Sequence, residues 1–301
     1  MKIVSAIITT HNRIELLKRA IKSVYSQTYP NIELIVVDDA STDGTFDYCK
    51  KLPLQYIHIP KSESKGGNYA RNQGIRAAKG EYIAFLDDDD YWLSTKIEKQ
   101  LNLIERKGCE LVYCGTRIEN VSTSGIIYQD RLPNPRYYGD MHKKILIESC
   151  TITSNILVSR QAILEVGMFD ENLRYWQEYE LTIRLAQRQP FYFVNEPLCV
   201  YRINLNDRHR ITNRIDGWKE SVYYIKKKHT ELYKHLNYLE RFLVKLNIMQ
   251  NAAIRYKNLG DKKRYYQNHC MWKIMSLPFR VINKILITIK RWQLKKEFTN
   301  V

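Results

Sequence analysis

Apolar residues in the first part of the chain follow two alternating patterns. Short runs rich in β-branched residues, at positions 4–9 and 34–37, predict buried strands. Positions 15–25 and 68–78 instead carry apolar residues at helical spacing, and a glycine at position 80 closes the second of these segments. Strands that alternate with helices favour a mostly parallel sheet covered by helices on both faces. We therefore predict an α/β fold for this part of the chain.

The pattern changes along the rest of the chain. Between residues 111 and 200 strand-like and helical segments are mixed, with a helix predicted over 179–187. Beyond residue 210 the sequence has helical spacing, many Tyr and Lys residues and few glycines. We therefore predict a sheet domain followed by a helical C-terminal extension. The predicted bounds are 1–210 for the domain, with halves at 1–100 and 101–210, and 211–301 for the extension.

The formal net charge of +16 is concentrated in the predicted extension. Residues 210–301 carry 21 Lys and Arg against 6 Asp and Glu, whereas residues 1–209 carry 27 against 26. A basic helical region is typical of a solvated surface, and it is also compatible with nucleic acid. Neither interpretation explains the apolar residues that stand between the basic ones, so we predict no nucleic acid partner.

The clearest amphipathic segment of the extension spans residues 275–297. It combines apolar and aromatic residues such as Phe279 and Trp292 with basic residues such as Lys284 and Lys290. This composition favours an interfacial helix on anionic lipid. It is equally typical of a helix that packs on the sheet domain or on a second copy of the chain. A peripheral membrane contact and a homo-oligomer are therefore both open at this point.

Cysteine spacing and hydropathy indicate the cellular compartment in which the protein is expected. The six cysteines have no C-x-x-C spacing, and the start of the chain lacks the length and cleavage pattern of a signal peptide. No run of eighteen apolar residues occurs, so we expect no membrane-spanning helix. We expect reduced thiols and a cytoplasmic protein.

Four consecutive aspartates, residues 87–90, follow the strand predicted over 82–86. Like charges packed at a strand end are costly unless a cation neutralises them. Alternate residues of an extended segment point the same way, so we expect Asp87 and Asp89 to share one ion. Carboxylate oxygens suit Mn²⁺ or Mg²⁺. The other two aspartates are then expected in turn and helix-cap roles.

Four segments in the first ninety residues resemble the nucleotide-binding half of family 2 glycosyltransferases, which have the GT-A fold. They are residues 4–13, 23–45, 70–75 and 80–90. Their order and spacing together make the resemblance specific, whereas any one alone is weak. The resemblance implies a Rossmann-like GT-A domain over roughly residues 3–210. It also implies an inverting transfer of a sugar from a nucleoside diphosphate donor.

The resemblance assigns the donor site to the strand ends. Thr9 and His11 would line the nucleoside pocket, and Asp39 would accept a hydrogen bond from the base, with uracil favoured. A guanidinium suits bidentate phosphate binding, which agrees with the implied role of Arg71. The resemblance further implies that Asp38 supports the loop after the second strand and that Arg71 reaches the phosphates. Asp87 would contact the ribose or the hydration shell of the metal, and Asp88 would lie near the nucleotide. Asp89 would bind the metal directly.

A second acidic segment, residues 176–184, corresponds to the catalytic region of the family. Glu178 falls where the family has its catalytic base, and Gln177 replaces the usual first acid. A carboxylate can take the acceptor proton while the sugar carbon is attacked from the opposite face. Glu180 is the alternative base, and its position also suits a helix N-terminal acid. Trp176 would stack on a sugar ring, or else belong to the core.

An Arg-x-His element of the family is present only in part. Asn204 stands where histidine is common, so Arg202, Arg208 or His209 would take over its contact, and Arg202 is also a candidate for binding the acceptor. The processive-synthase signature Gln-x-x-Arg-Trp is absent from the sequence, which favours one sugar per encounter.

The resemblance implies a UDP-sugar as the favoured donor and a hydroxyl of a glycan or polyprenyl-linked acceptor as the target, in bacterial surface polysaccharide biosynthesis. Such an acceptor would place the enzyme in the cytoplasm, with a peripheral contact to the inner face of the membrane as the alternative. A nucleotide-sugar-binding protein without turnover is a second interpretation, with Gln177 marking a degenerate site. A Rossmann oxidoreductase is disfavoured, because no G-x-G-x-x-G follows the first strand.

Overall fold

The structure, a computed structural model, describes residues 1–207 and 214–298. These residues form two compact units. The sheet unit contains Met1–Pro133 and Thr151–Asn206, and the helical unit contains Asn134–Cys150 and the described residues from Asp207 onward. The segment Asn134–Cys150 therefore joins the helical unit, although the predicted half 101–210 includes it.

The strands of the sheet unit form a single sheet. Among the described residues the strands are β1 (Val4–Thr10), β2 (Ile32–Asp39), β3 (Gln55–Ile59), β4 (Tyr82–Asp87), β5 (Tyr91–Trp92), β6 (Leu111–Ser122), β7 (Gly125–Arg131), β8 (Ile156–Ser159) and β9 (Phe191–Asn204). They lie in the order β3-β2-β1-β4-β8-β6-β9-β5, and β7 pairs with β6.

Helices follow most of the strands and continue to the end of the described chain. They are α1 (Ile14–Tyr25), α2 (Thr45–Cys49), α3 (Gly67–Ala77), α4 (Lys96–Lys107), α5 (Lys144–Ile147), α6 (Arg160–Glu165), α7 (Gln177–Ala186), α8 (Ile215–Lys228), α9 (Thr230–Lys234), α10 (Tyr238–Asn258) and α11 (Lys262–Phe298). The helices predicted over 15–25, 68–78 and 179–187 correspond to α1, α3 and α7.

The sheet is parallel in its first half and mixed beyond. Strand β2 pairs in parallel with β1 and β3, and β1 pairs in parallel with β4. Strand β8 is antiparallel to both β4 and β6, whereas β6 and β9 are parallel. The predicted α/β fold is confirmed, and its carboxyl strand ends gather at one edge of the parallel half.

Alternation along β1 decides which helices cover each face of the sheet. Val4, Ala6 and Ile8 belong to the core cluster that also contains residues of α1 and α4. Ile7 points to the opposite face, where α3 lies so close that a Cβ added to Gly74 would stand 2.5 Å from the Ile7 Cγ2 atom. Glycine at this position therefore permits the close approach of α3 to the sheet. Helices thus cover both faces, as the sequence pattern predicts.

The helical unit is built mainly from α8, α9, α10 and α11. A capping box begins α10, where the Asn237 side chain accepts from the Glu240 amide at 2.9 Å and the Glu240 carboxylate accepts from the Asn237 amide at 2.8 Å. The Phe242 and Phe279 rings join α10 and α11 with centroids 5.6 Å apart. The predicted helical C-terminal part is confirmed. None of the helices in the described chain is long and apolar enough to cross a membrane.

Candidate active site

The neighbouring strands β2, β1 and β4 end side by side at one edge of the sheet. The residues predicted to bind the nucleotide-sugar donor lie at this edge. In the sheet register Thr9 of β1 pairs with Asp87 of β4, and Thr10 pairs with Asp38 of β2. The structure therefore brings the first, second and fourth strand ends together, although 77 positions of sequence separate Thr10 from Asp87. Parallel pairing makes this possible, because it aligns the carboxyl ends of strands that are distant in sequence.

Two adjacent aspartates at the end of β2 have different environments. Asp38 is buried, and its carboxylate accepts hydrogen bonds from the Tyr56 hydroxyl at 2.5 Å and the Ser41 amide at 3.0 Å. These bonds fix Asp38 against the backbone that follows β2, and the supporting role that the resemblance implies for it stays a prediction. The backbone carbonyl oxygen of Asp39 lies 2.5 Å from the Nδ1 atom of His11. The side-chain Oδ1 atom of Asp39 is buried and has no hydrogen-bond partner among the described residues. Such an atom is suited to receive a donor from a ligand.

Two of the four consecutive aspartates point into the protein. Asp88 accepts from the Thr10 hydroxyl at 2.8 Å and from Arg13 at 3.1 Å. Burial raises the pKa of Asp88 to about 6, although the charge of Arg13 opposes the rise. Asp88 is thus buried and held by Thr10 and Arg13, and the nucleotide contact that the resemblance implies for it stays a prediction.

Asp90 is the second inward aspartate. Its carboxylate accepts from the Ser154 hydroxyl at 2.6 Å and from the Arg202 amide at 3.1 Å. Burial raises the pKa of Asp90 well above its ordinary value, and the neighbouring charges of Asp89 and Asp87 add to the rise. Asp90 therefore connects residues 87–90, which we call the acidic loop, to β9.

The other two aspartates are accessible, with side chains 31% exposed for Asp87 and 37% exposed for Asp89. An Arg71 Nη2 atom donates to Asp87 at 2.6 Å, and an Arg13 Nη1 atom donates to Asp89 at 3.2 Å. The described residues contain no group of three or more His, Cys, Asp and Glu that could by itself hold a metal ion. Two accessible carboxylates with oxygen donors nevertheless fit Mn²⁺ or Mg²⁺, provided that ligand or solvent oxygens complete the shell.

Arg71 connects the acidic loop to the second acidic segment. Its side chain is buried, lies over the Phe169 ring and donates from Nη1 to the Gln177 side-chain oxygen at 2.8 Å. Together with its bond to Asp87, this contact makes Arg71 a bridge across the candidate site. Gln177, which occupies the position of the usual first acid, therefore serves as an acceptor for this arginine.

Two asparagines of α3 reinforce the same connection, and sequence reasoning assigned them no role. Asn68 donates to the carbonyls of Asp170 and Leu173 at 2.7 and 3.0 Å. Asn72 donates to the Phe169 carbonyl at 2.9 Å and accepts from the Phe169 amide at 3.0 Å. The four-residue spacing of Asn68 and Asn72 places both on one face of the helix, which is the signal that could have identified them as a pair.

The start of α7 distinguishes the two candidate bases. Glu180 is fully buried and bound by Arg184, whose Nη2 atom lies 2.7 Å from it and also donates to the Met168 carbonyl. Glu178 is half-buried in the first turn. Trp176 has a left-handed backbone, with φ of 56°, and packs edge-on against Tyr179. Glu180 therefore has no exposure to solvent whereas Glu178 is partly exposed, and the choice between them as the base stays a prediction.

A buried carboxylate behind the acidic loop, Glu119 of β6, has no counterpart among the predicted site residues. It accepts from Arg19 at 3.2 Å, from Arg202 at 3.0 Å and from the Tyr91 hydroxyl at 2.9 Å. Arg19 also donates to the Asp89 carbonyl at 2.6 Å. No local pattern marks these contacts, because they join positions 28 to 100 residues apart.

Arg19, Tyr91 and Arg202 surround Glu119 and form what we call the Glu119 cluster. This cluster also explains the position of the Arg202 side chain. Both its backbone amide and its guanidinium are engaged within the sheet unit, so its side chain is held beside the acidic loop. The structure therefore assigns Arg202 a supporting contact, and its predicted role in acceptor binding stays a prediction. Arg208 and His209, the other two candidates for this position, lie outside the described residues.

Comparison with known proteins decides the family. A family model described as Glycosyl transferase family 2 matches residues 5–167, more than half of the chain. The chain belongs to this family. The mannosyltransferase PcManGT from Pyrobaculum calidifontis, solved in complex with GDP-Man and Mn²⁺, has a TM-score of 0.56 at 18% identity, over 97% of this chain and 86% of its own. The predicted GT-A fold is thereby confirmed.

Curated relatives share the family over part of their length. The Escherichia coli UDP-Glc:alpha-D-GlcNAc-diphosphoundecaprenol beta-1,3-glucosyltransferase WfaP is 42% identical over 40% of this chain and 48% of its own. The Bacillus subtilis putative teichuronic acid biosynthesis glycosyltransferase TuaG is 30% identical over 67% of this chain and 79% of its own. The chain spans only 29% to 64% of the Rickettsia glycosyltransferases that it matches.

Replacement of Glu119 by Gln tests the cluster behind the acidic loop. Burial disfavours the charged form of Glu119, but hydrogen bonds from Tyr91 and Arg19 and attraction to Arg19 outweigh it and lower the pKa. We expect the variant to lose about 2 kcal/mol of unfolding free energy at neutral pH, since a hydrogen bond to a charged group contributes roughly 1.5–3 kcal/mol. Urea denaturation measures this loss.

The pH dependence of this loss has a definite sign. Because the pKa of Glu119 is lowered in the folded state, its ionised carboxylate stabilises the protein at pH values above about 4.3, the ordinary pKa of glutamate. This stabilisation disappears as the pH falls through the pKa of Glu119 in the folded state. The difference between wild type and Glu119→Gln should therefore shrink on acidification. Asp130→Asn, which breaks an exposed pair with Arg117, is the control and should cost less than about 1 kcal/mol. A loss independent of pH would contradict the assignment.

Proposed function

We propose that this chain transfers a sugar from a nucleoside diphosphate sugar, with UDP favoured, to a hydroxyl of a glycan or lipid-linked acceptor. The observation that carries the proposal is the pair of bonds made by Arg71, at 2.6 Å to Asp87 and 2.8 Å to Gln177. They join the acidic loop, where a donor diphosphate would bind, to the turn of α7 that carries Glu178. Groups suited to donor binding and to proton abstraction therefore share one edge of the sheet.

The end of β2 supplies the groups that would bind the nucleoside. The Oδ1 atom of Asp39, which has no hydrogen-bond partner within residues 1–207 and 214–298, would accept an N–H group of the base, and uracil offers one. His11, which contacts the Asp39 carbonyl, and Thr9 at the end of β1 would line the same pocket. The name of the relative WfaP includes UDP-Glc, which supports UDP as the donor nucleotide.

Asp89 and Asp87 are the residues that would hold Mn²⁺ or Mg²⁺. Both side chains are partly exposed oxygen donors, and the structurally similar mannosyltransferase was solved with Mn²⁺. A bound ion would supply Lewis-acid stabilisation to the departing diphosphate. Arg13 and Arg71, which pair with these carboxylates in the structure, add fixed positive charge suited to phosphate oxygens.

Glu178 is the residue that we propose as the catalytic base. It lies in the first turn of α7, one residue from the Arg71 contact, and part of its side chain reaches solvent. A carboxylate placed in this way can accept the acceptor proton as the hydroxyl attacks. Attack on the face opposite to the diphosphate would invert the anomeric centre. Trp176, immediately before α7, would offer an aromatic face to an acceptor sugar.

The relatives support a place in bacterial surface polysaccharide synthesis. The name of WfaP specifies a diphosphoundecaprenol-linked acceptor, and that of TuaG specifies teichuronic acid biosynthesis. We extend the same class of acceptor, a polyprenyl-linked sugar, to this chain. Its basic α11 would then contact the inner face of the membrane, or else a second copy of the chain. Exposed Ile274 and Leu277 beside exposed Lys273 and Lys284 support the first alternative.

A nucleotide-sugar-binding protein without turnover is the second candidate function. The observation that favours it is Gln177, because an amide stands where the family usually has a carboxylate. This amide is held by Arg71, so the local structure persists without the acid. Turnover assays separate the two candidates.

Replacement of Glu178 by Gln tests the proposed base. We expect transfer from a UDP-sugar to fall by about 10²–10⁴, the range typical of a lost general base, while the affinity for UDP stays within a factor of two to three of wild type. Turnover with Mn²⁺ and calorimetric binding of UDP provide the two readouts. The affinity holds because the base acts on the acceptor rather than on the nucleotide.

Glu165→Gln is the matched control for this experiment, since Glu165 pairs with Arg188 at the surface of the sheet unit and should leave turnover unchanged. Equal turnover of Glu178→Gln and wild type would exclude Glu178 as the base. Absence of turnover in the wild type across UDP-sugars, together with measurable binding, would favour the binding protein.

Replacement of Asp89 by Ala tests the proposed metal and donor site. We expect Mn²⁺-dependent binding of UDP to weaken by at least tenfold, because one of the two accessible carboxylates is removed. Titration of UDP with Mn²⁺ and with a chelator measures the metal-dependent part. Asp47→Asn, which removes an exposed aspartate paired with Lys50, is the control and should bind UDP normally. Unchanged binding and turnover in Asp89→Ala would refute the proposed site.

Deletion of residues 275–301 tests the proposed membrane contact. The segment carries six Lys and Arg residues, and each basic residue near an anionic surface contributes about 1 kcal/mol. We expect the full chain to sediment with vesicles that contain phosphatidylglycerol, and the truncated chain to remain mostly in the supernatant. Phosphatidylcholine vesicles are the control. Sedimentation that is unaffected by the deletion would end this proposal.

A further inference from the structure

The helical unit contains a cavity that the proposed transfer reaction does not use. It lies between α8, α9 and the beginning of α10, has a volume of about 340 Å³ and is open to solvent, since Thr230, Lys234, Arg241 and Lys245 are exposed. A water molecule takes up about 30 Å³ of liquid, so the cavity is large enough for a ligand of several heavy atoms. Its lining residues are Lys226, Thr230, Tyr233, Lys234, Leu236, Arg241, Val244 and Lys245.

The cavity combines cationic walls with an apolar floor. Leu236 and Val244 are buried and supply the floor. Lys234 already pairs with Glu231 at 2.7 Å, but neither Lys226 nor Lys245 has an ion-pair partner in the part of the chain that the structure describes. Two unneutralised ammonium groups that line one cavity repel each other, and a bound anion would relieve the repulsion.

The electrostatics of Lys226 agree with this geometry. Burial lowers the pKa of Lys226, and the positive charge of Lys245 lowers it further. Glu231 pairs with Lys234 at the same site, but among the described residues Lys226 has no carboxylate partner of its own. Lys226 is therefore a half-buried ammonium group without the paired negative charge that normally accompanies one.

Arg241 is held in a fixed orientation beside the two lysines. Its Nε atom donates to the Leu236 carbonyl at 2.8 Å, and its Nη2 atom donates to the Lys234 carbonyl at 2.8 Å. These two bonds fix the plane of the guanidinium without neutralising its charge. A pre-organised guanidinium loses little conformational entropy when it binds an anion, and its planar array of donors suits phosphate oxygens.

We propose that this cavity binds a phosphate-bearing anion through Lys226, Arg241 and Lys245, with the apolar floor covering the group attached to the phosphate. Charge-assisted hydrogen bonds from all three cations would hold the phosphate oxygens. The phosphate can belong to the headgroup of an anionic lipid or to a soluble phosphate ester. The proposal concerns the helical unit alone and does not depend on sugar transfer in the sheet unit.

Calorimetric titration of the full chain with inorganic pyrophosphate tests the site. The cavity variant is Lys226→Met/Lys245→Met, and the control is Lys227→Met/Lys257→Met, which removes the same charge from exposed positions that do not line the cavity. We expect the control to bind like wild type and the cavity variant to bind at least tenfold more weakly. Any pyrophosphate bound at the donor site affects both variants equally, so their difference isolates the cavity.

A second readout separates the sources of the phosphate and guards against misfolding. Selective loss of phosphatidylglycerol vesicle binding in the cavity variant, with competition by pyrophosphate, would identify a lipid headgroup. Selective loss of pyrophosphate binding with unchanged vesicle binding would identify a soluble ligand. Lys245→Met alone, at an exposed position, should reproduce part of the loss with an unchanged melting temperature. Equal pyrophosphate binding in the cavity and control variants, or no saturable binding to wild type, would overturn the proposal.

Discussion

The mutual repulsion of four consecutive aspartates at the end of β4 is the constraint on which the candidate site depends. The structure resolves it by dividing the four between two environments. Asp88 and Asp90 turn inward, where hydroxyl and amide donors and burial hold them with raised pKa values. Asp87 and Asp89 remain accessible and pair with arginines. Without this division, like charges would destabilise the strand end at which we propose that the donor binds.

The neutralising arginines also determine the architecture around the loop. Arg71 reaches from α3 to the start of α7, and Arg19 reaches from α1 to Glu119 on β6. Each contact satisfies a buried polar group and joins elements that are distant in sequence. Charge neutralisation and site assembly are therefore the same set of interactions, which gives the proposed donor and base groups a rigid support.

Burial adds a distinction between two acidic residues that the family motif only ranks. Glu178 and Glu180 lie two positions apart in one acidic segment, and both suit the N-terminus of a helix. Only the folded chain shows that Glu180 is fully buried and bound by Arg184, whereas Glu178 keeps access to solvent. In the same way, Asp88 belongs to the motif but is buried, with its carboxylate bound by Thr10 and Arg13.

Local patterns were sufficient to predict the α/β fold, the acidic strand end and the basic helical part, because hydrophobic period, strand-end chemistry and charge are properties of short segments, while the family followed from the resemblance of four such segments. The folded chain was needed to show that Asn134–Cys150 belongs to the helical unit, that Glu119 contacts Arg202 behind the acidic loop and that Arg71 links Asp87 to Gln177. These contacts join residues about 16 to 106 positions apart. No periodic pattern encodes such pairings, since they arise only when chain topology brings separate elements to one edge of the sheet.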